Sequence, residues 1–297
     1  MHALAGASVQ FRFALPAEPL RRFVTTFYRT EVVCPVKRPW LEDWLHPEWA
    51  NIRFLGAVPA HSVIGTGTMA RCPAFTVTGP TSRAVRFRLG SGHSWGVGLL
   101  PLGWARFFDL PASELADQFC SADDHPAFAG LRPIIEDTFD GPADAAAEAA
   151  RIDSFMLGVL KASPPHSEEA RIRSAHAALV DPAINAVSDL AERIGTSSRS
   201  LERLSLRAFG FSPKLLLRRQ RFLRSLAQFM LDPSLKWIAT LDWQYVDQAH
   251  FVRDFKRFMG MSPSQYARMP KPLLAAAAQA RMAAAGQAVQ GLHAPTP

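Results

Sequence analysis

Side chains suited to contacting nucleic-acid bases are concentrated in two short stretches of the C-terminal third. Both stretches place polar residues at helical spacing, so that several of them share one face of a helix. Arginine on such a face can pair bidentately with guanine in a major groove. The candidate contact residues are Ser198, Arg199, Glu202 and Arg203 in the first stretch and Gln248, Ala249, His250 and Arg253 in the second.

The first stretch is preceded by signals that begin and end short helices. Residues 186–194 have the apolar spacing of a helix, and Gly195 can end it because glycine readily adopts the left-handed conformation. Ser197 then suits the N-cap of a second helix over residues 198–209, whose outer face carries the first candidate set. A helix, a glycine turn and a capped helix with a basic face are the plan of a helix-turn-helix unit.

The second stretch repeats this organisation further along the chain. Asp247 can cap a helix over residues 248–259, in which phenylalanines at helical spacing form the inner stripe. The two units end alike, in Phe-Gly-Phe-Ser-Pro at 209–213 and Met-Gly-Met-Ser-Pro at 259–263. A long helix from Pro213 joins them, and a further short helix is expected at residues 235–242. Two such units could read successive major-groove segments about 34 Å apart.

Three features of this region occur together. They are Gly195-x-Ser197-x-Arg199-x-Leu201-x-Arg203, the paired Gly-x-Ser-Pro endings, and Asp247-Gln248-Ala249-His250-Phe251-Val252-Arg253-Asp254-Phe255. With them, residues 171–270 resemble the double helix-turn-helix domain of the AraC-type (AraC/XylS) family. The resemblance implies a bacterial transcription regulator that binds promoter DNA. It also implies base or backbone contacts from all the candidate residues except Ser198, which the helix pattern alone adds.

Two positions depart from the pattern of that family. Ser205 stands where an aromatic residue is common, and Trp243-Gln244 stand where the turn of the second unit commonly has a glycine. The stretch from Ala239 to Asp247 is also one residue longer. These departures predict an atypical turn, which would change the angle of the second reading helix.

Charge is distributed unevenly along the chain. Residues 1–170 contain 15 Lys and Arg against 18 Asp and Glu, whereas residues 171–270 contain 16 against 8. A compact basic block suggests a polyanionic partner, because neutralising phosphates releases condensed counterions. A solvated basic face without a partner is the alternative interpretation.

The N-terminal half has the pattern of a β-rich domain. Residues 10–105 contain short alternating apolar runs bounded by glycine, proline and small polar residues. Short helices are expected over residues 112–119 and 131–139. A longer one is expected over residues 144–160, with an apolar stripe for the domain's own core or for a second copy. The predicted fold class is α+β, with a β-rich, barrel-like (cupin-like) N-terminal domain followed by an all-α double helix-turn-helix domain.

A double proline, Pro164-Pro165, divides the chain into these two parts. The predicted layout begins with a β-rich effector-binding or dimerisation domain with C-terminal helices over residues 1–163 and a linker over residues 164–170. The DNA-binding domain follows over residues 171–270. Residues 271–297 are Ala-rich and are predicted to be a disordered tail, with a frayed helix over residues 275–297 as the alternative, because their composition cannot supply a core.

Gly92-His93-Ser94-Trp95-Gly96 matches the nucleophile elbow of serine hydrolases. An elbow needs a strand before the serine and a helix after it, but residues 97–101 have the pattern of another strand. A glycine-rich hairpin is therefore favoured, and a serine hydrolase is the alternative function. A ligand-independent DNA-binding architectural protein is a second alternative.

His46-Pro47-Glu48-Trp49 has no accompanying histidine at metal-ligand spacing, so neither a metal site nor a cofactor is predicted. Here and at Leu100-Pro101-Leu102-Gly103-Trp104 the N-terminal half resembles the effector-binding or dimerising half of AraC-type regulators. Its tryptophans either line an effector pocket or, as favoured, form core. They are Trp40, Trp44, Trp49, Trp95 and Trp104.

Two basic features of the C-terminal third leave alternatives open. His250 is either a base contact or a partly buried packing residue. Four arginines of the long helix are phosphate contacts or, as favoured, a solvated face. They are Arg218, Arg219, Arg221 and Arg224.

The three cysteines are expected to be unpaired thiols in a reducing compartment. No apolar run reaches the length of a membrane span, so the protein is expected in the cytoplasm, associated with the nucleoid. The predicted function is transcription regulation without enzymatic activity. Promoter DNA is the main partner, and a small effector, a second copy and RNA polymerase are further candidates.

Overall fold

The computed structural model describes residues 6–139, 144–231 and 237–295. Strands dominate its N-terminal half and helices its C-terminal half, which confirms the α+β class. The strands of the described residues are β1 (Ser8–Ala14), β2 (Val24–Val33), β3 (Leu41–Leu45), β4 (Asn51–Phe54), β5 (Ala60–Ile64), β6 (Ala70–Arg71), β7 (Phe75–Thr78), β8 (Val85–Leu89), β9 (Gly92–Leu99) and β10 (Phe119–Ser121).

These strands form two antiparallel sheets and not a closed barrel, so the barrel-like expectation is corrected. One sheet has the order β1-β2-β9-β4-β7-β10 and the other β3-β8-β5-β6. The expected hairpin of β8 and β9 is also wrong, because the two strands belong to different sheets. The chain crosses between the sheets at Gly90 and Ser91. A Cβ on Gly90 would lie 3.1 Å from a side-chain carbon of Pro59, so the crossing is tightly packed.

Helices follow the strands. They are α1 (Pro101–Phe107), α2 (Pro133–Phe139), α3 (Ala145–Ala162), α4 (Glu169–Val180), α5 (Val187–Arg193), α6 (Ser198–Phe209), α7 (Pro213–Leu231), α8 (Gln248–Met259), α9 (Pro263–Arg268) and α10 (Pro272–Ala285). The helix expected over residues 112–119 is only a 3-10 turn, Ala112–Glu114, and β10 follows it. The short helix expected at residues 235–242 lies partly outside the described residues, which include the 3-10 turn Trp237–Thr240. No helix of the described residues is long and apolar enough to span a bilayer.

Helix α3 packs on the β-domain through the predicted stripe. Ile152 and Met156 are fully buried in the main core. Glu148, also buried, accepts hydrogen bonds from the Trp95 indole at 2.6 Å and from Arg29 at 3.2 Å. Burial of these groups within one chain accounts for the stripe without a second copy.

Residues 272–285 form a helix that packs on the β-domain, which corrects the expected disordered tail. Helix α10 begins at Pro272 and ends at Gly286, whose φ is 68°. Leu273 and Leu274 are buried, and the small alanine side chains let the helix lie close to β1 and β3. The alanine-rich composition does not predict this helix, because the contacts that stabilise it come from Leu273 and Leu274 and from the strands β1 and β3.

The core continues from the β-domain into the helical half. One cluster of buried side chains contains residues of both, including Phe27 of β2 and Phe209 of α6. The Trp49 ring lies 5.8 Å from the Phe209 ring and under the Arg219 guanidinium, 3.9 Å from its carbon. The double proline thus separates the two halves in sequence, while their side chains pack together.

Candidate nucleic-acid interface

The first helix-turn-helix unit has the local geometry that its sequence predicts. Helix α5 ends at a turn where Gly195 has a φ of 62° and donates to the carbonyl of Glu192 at 3.0 Å. The Ser197 hydroxyl accepts from the backbone N–H of Ser200 at 3.2 Å, which caps α6. Leu190 and Leu201 are completely buried between the two helices.

The polar face of α6 is free. Ser198, Arg199, Glu202 and Arg203 are all exposed. The end of α6 packs instead on α1 and on the turn Ala112–Glu114 of the β-domain. The β-domain therefore holds the back and the end of this helix and leaves the face of the candidate residues open to solvent.

Ser205 lies on the buried side of α6, with 1% of its surface exposed. A small hydroxyl therefore occupies the position where the family commonly has an aromatic ring. The surrounding core is completed by other residues, among them Leu204 and Phe209. This departure from the family pattern leaves the helix and its exposed face intact.

The second unit repeats the same local devices. The Asp247 carboxylate accepts from the backbone N–H of His250 at 2.6 Å and caps α8. Gly260, with a φ of 71°, ends the helix. Phe251, Phe255 and Phe258 are buried in a second core cluster, as the stripe predicts.

The outer face of α8 presents only part of the candidate set. Gln248, Ala249 and Arg253 are exposed, whereas His250 is partly buried. His250 Nε2 lies 3.0 Å from the Arg221 guanidinium, and its ring packs edge-on against Tyr245 at 5.1 Å. Partial burial and the charge of Arg221 lower the pKa of His250, and Nε2 accepts from Arg221 because a guanidinium can only donate. These contacts give His250 a packing role, and its use as a base contact stays a prediction.

The arginines of α7 form contacts within the protein, so the solvated face favoured from sequence is wrong. Arg218 and Arg221 bind the completely buried carboxylate of Asp254, Arg221 at 2.9 Å. Tyr245 donates to the same carboxylate at 3.2 Å. Burial alone would raise the pKa of Asp254, but the two arginines hold it below its usual value. This cluster fixes α8 to α7.

Arg219 is the exception in that row of arginines, because it is completely buried against the β-domain. It donates to the carbonyl of Thr81 at 3.0 Å and stacks on Trp49. Burial lowers its pKa to about 9. Sequence reasoning missed this role because the contacted carbonyl is 138 residues away in the chain.

In the second unit, a turn built on Asp242 stands where the family commonly has a glycine turn. Asp242 accepts from the backbone N–H of Gln244 at 3.0 Å, while its own N–H donates to Ser225 at 2.8 Å. Arg224 binds the other oxygen of the same carboxylate. The Gln244 amide then donates to the carbonyl of Pro182 at 2.6 Å, which connects this turn to the first unit.

The atypical turn also exposes apolar surface beside α8. The Trp243 side chain is 69% exposed and the Val246 side chain 88%. The sequence predicts an atypical turn at Trp243, but it does not indicate that the Trp243 side chain is exposed.

Two rival motifs have other structural roles. Ser94 lies within β9, paired with Thr30 of β2, and the next helix begins only at Pro101, so the strand-turn-helix context of an elbow is missing. His46 bonds to the Tyr266 hydroxyl at 2.7 Å, and Glu48 binds Arg53 at 2.5 Å. No group of three potential metal ligands is found among the described residues.

The comparisons with known proteins concern the same region. The profile of a family described as a helix-turn-helix domain matches residues 190–269, which contain both candidate sets. No curated protein matches the chain significantly.

Solved structures give weaker similarity. An apo variant of ToxT from Vibrio cholerae is 15% identical, with a TM-score of 0.42, over 89% of this chain and 97% of that chain. A second ToxT structure is 12% identical, with a TM-score of 0.42, over 77% and 98%. The AraC-like transcriptional activator CuxR is 13% identical, with a TM-score of 0.28, over 74% and 87%. These TM-scores are too low to establish a shared overall fold.

Proposed function

We propose that the chain is an AraC-type helix-turn-helix transcription regulator that reads two adjacent major-groove segments of promoter DNA with α6 and α8. The observation that carries the proposal is the free polar face of each helix. Both helices are capped, end at a left-handed glycine and keep arginine exposed on the outer side. A helix held in this way can enter a major groove with its N-terminal turns toward the base edges.

We assign the base-reading role to Arg199, Glu202 and Arg203 on α6 and to Gln248 and Arg253 on α8. Ser198 and Ala249 lie at the first turns of the two helices, where short side chains suit close approach to the backbone or to a thymine methyl group. His250 serves a different purpose in this proposal. It supports the first turn of α8 through Arg221 and contacts DNA only through its exposed edge.

The experiment selects bound sequences from random duplexes with the full-length protein and measures affinity by fluorescence anisotropy. Arg253→Ala is expected to weaken the selected site by about 1–3 kcal/mol and to relax the preference at one base position. Arg71→Ala changes an exposed arginine of the β-domain and serves as the control. Unchanged site selection by Arg199→Ala and Arg253→Ala together would remove the proposed reading role.

Salt dependence separates specific reading from simple charge attraction. Affinity for any duplex should fall steeply with salt, because bound phosphates release counterions. The preference for the selected site over a scrambled duplex should remain at moderate salt. Equal affinity for both duplexes at every salt concentration would favour the ligand-independent architectural protein instead.

We further propose that the β-domain binds a small effector. A cavity of about 110 Å³ lies between its sheets, lined largely by apolar side chains such as Leu55, Val85 and Phe87 with a few polar groups. Small-molecule sites in proteins share this mostly apolar lining with a few polar groups. Trp95 lines the cavity, whereas Trp49 and Trp104 are core residues.

The proposed activity involves no chemical transformation. It takes place at promoter DNA in the cytoplasm, where RNA polymerase is a further candidate partner if the protein activates transcription. A second copy bound to a neighbouring site would double the number of grooves read. Ser94→Ala is expected to leave DNA binding unchanged, and ester hydrolysis lost in that variant would support the hydrolase instead.

A further inference from the structure

The cavity of the β-domain has one wall made by the segment that follows the second helix-turn-helix unit. Three residues of α10, at positions i, i+4 and i+8, face the cavity. They are Leu273, Ala277 and Arg281. The cavity is therefore enclosed jointly by the two sheets and by a helix that begins four residues after α9 ends.

The lining of the cavity carries more positive than negative charge. Among the described residues that line the cavity, the charged side chains are Glu48, Arg53 and Arg281. The Glu48 carboxylate binds Arg53 at 2.5 Å, and Arg53 also donates to Thr78 at 3.0 Å. One carboxylate thus faces two guanidinium groups, which leaves one positive charge in excess.

Arg281 carries this excess charge. Its Nε atom is buried without a hydrogen-bond partner, and its guanidinium carbon lies 5.2 Å from the centre of the Phe13 ring. The carboxylate of the cavity lining, Glu48, is already paired with Arg53. Nδ1 of His61, another lining residue, is also buried without a partner. Buried polar groups are normally paired, so these two atoms point to a group that the cavity receives from outside.

We propose that Arg281 is the anion-binding group of this cavity and that the ligand is a small carboxylic acid with an apolar body. The inference rests on the effector site proposed above and specifies its ligand class. The carboxylate would pair with the guanidinium bidentately, and the apolar lining would enclose the rest of the molecule. The volume, about 110 Å³, is smaller than the roughly 150 Å³ of a cavity that holds benzene, so the apolar body is no larger than one ring or a short alkyl chain.

The position of Arg281 also connects the cavity to the DNA-binding half. At the start of α10, the Asp43 carboxylate of β3 accepts from the backbone N–H groups of Leu273 and Leu274 at 2.8 and 3.0 Å. Further on, Gln220 of α7 donates to the carbonyl of Gly291 at 2.7 Å. A ligand bound to Arg281 therefore stabilises the docking of α10, and with it the placement of α7 and the two reading helices.

The test uses the full-length protein with benzoate and hexanoate as probes and with benzamide as the uncharged control. Benzoate or hexanoate is expected to raise the melting temperature in a concentration-dependent way, and benzamide is not. Arg281→Met should weaken binding of the acid about tenfold or more, and Arg281→Lys should restore part of it. Arg257→Met, which changes an exposed arginine of α8, is the matched control for ligand binding.

Ala277→Leu provides a second variant that fills the cavity and keeps the charge. It should abolish binding of both acids even if Arg281→Met folds poorly. In the wild-type protein the bound acid should change the affinity for the selected DNA site, and in Arg281→Met it should not.

The outcomes separate the two proposals. Equal binding of benzoate and benzamide, or unchanged binding by Arg281→Met, overturns the role of Arg281 and leaves the effector site standing. No stabilisation by any of the three probes contradicts both the ligand class and a cavity site for molecules of this size. DNA binding without ligand is measured separately and tests the reading helices alone.

Discussion

A single buried carboxylate, Asp254, holds the second reading helix in place. It lies on the inner side of α8, one residue after the proposed base contact Arg253, and binds two arginines and a tyrosine. Its orientation therefore determines where the outer face of α8 points. The sequence shows an ordinary Arg-Asp pair of neighbours at this point, and nothing in their spacing indicates that one side chain is exposed and the other completely buried.

We predict that Asp254→Asn destabilises the protein by about 3–5 kcal/mol, because it leaves Arg218 and Arg221 without a compensating charge. Urea unfolding measures this loss, with the exposed Asp123→Asn as the control. DNA affinity should fall as well, since α8 loses its anchor. A loss no larger than in the control would mean that the cluster contributes little to folding.

The same carboxylate sets the sign of a pH dependence. Its pKa in the folded protein lies below the usual 3.8, so the unfolded chain binds the proton more tightly. The stability that it contributes is thus complete above about pH 4–5 and is lost as the pH falls further. The difference in unfolding free energy between the wild type and Asp254→Asn should shrink in acid.

At the scale of elements, the sequence predicts the helix ends, because these depend on interactions within a few residues. Caps and left-handed glycines act within a few residues, and the helices of both units begin and end as Ser197, Gly195, Asp247 and Gly260 indicate. Contacts between distant segments leave no such local pattern. The anchor of α10 joins Leu273 to a residue 230 positions earlier, so its docking could not be derived from an alanine-rich composition.

The two glycines that end α6 and α8 should respond differently to the same change. Gly210 and Gly260 have φ values of 82° and 71°, where alanine costs about 1–2 kcal/mol. A Cβ on Gly210 would also lie 2.5 Å from Pro80 and 3.2 Å from the carbonyl of Ala112, whereas Gly260 has open space. We predict that Gly210→Ala is more destabilising than Gly260→Ala, as measured by thermal unfolding. Equal losses would show that the β-domain does not press on the end of α6.

At the scale of the whole molecule, a domain boundary in the sequence does not show whether the two halves pack against each other. The change in composition at Pro164-Pro165 indicates where the strand-rich part ends, and this placement stays a prediction. Whether each part closes its own core depends on surfaces that meet in three dimensions. Here Trp49, Phe209 and Arg219 form a buried contact between the two halves, and α10 returns from the second unit to the cavity.

A shared core of this kind predicts one cooperative unfolding transition for the full chain. Phe209→Ala should lower the melting temperature by the equivalent of about 3–5 kcal/mol without dividing the transition, because Phe209 contacts both halves. A fragment that lacks residues 1–165 would expose Phe209 and Arg219 to water and should unfold less cooperatively than the intact chain. Differential scanning calorimetry measures both. Two resolved transitions in the full chain, or a fragment as cooperative as the whole, would mean that the halves fold independently and that an effector signal must travel through a looser contact.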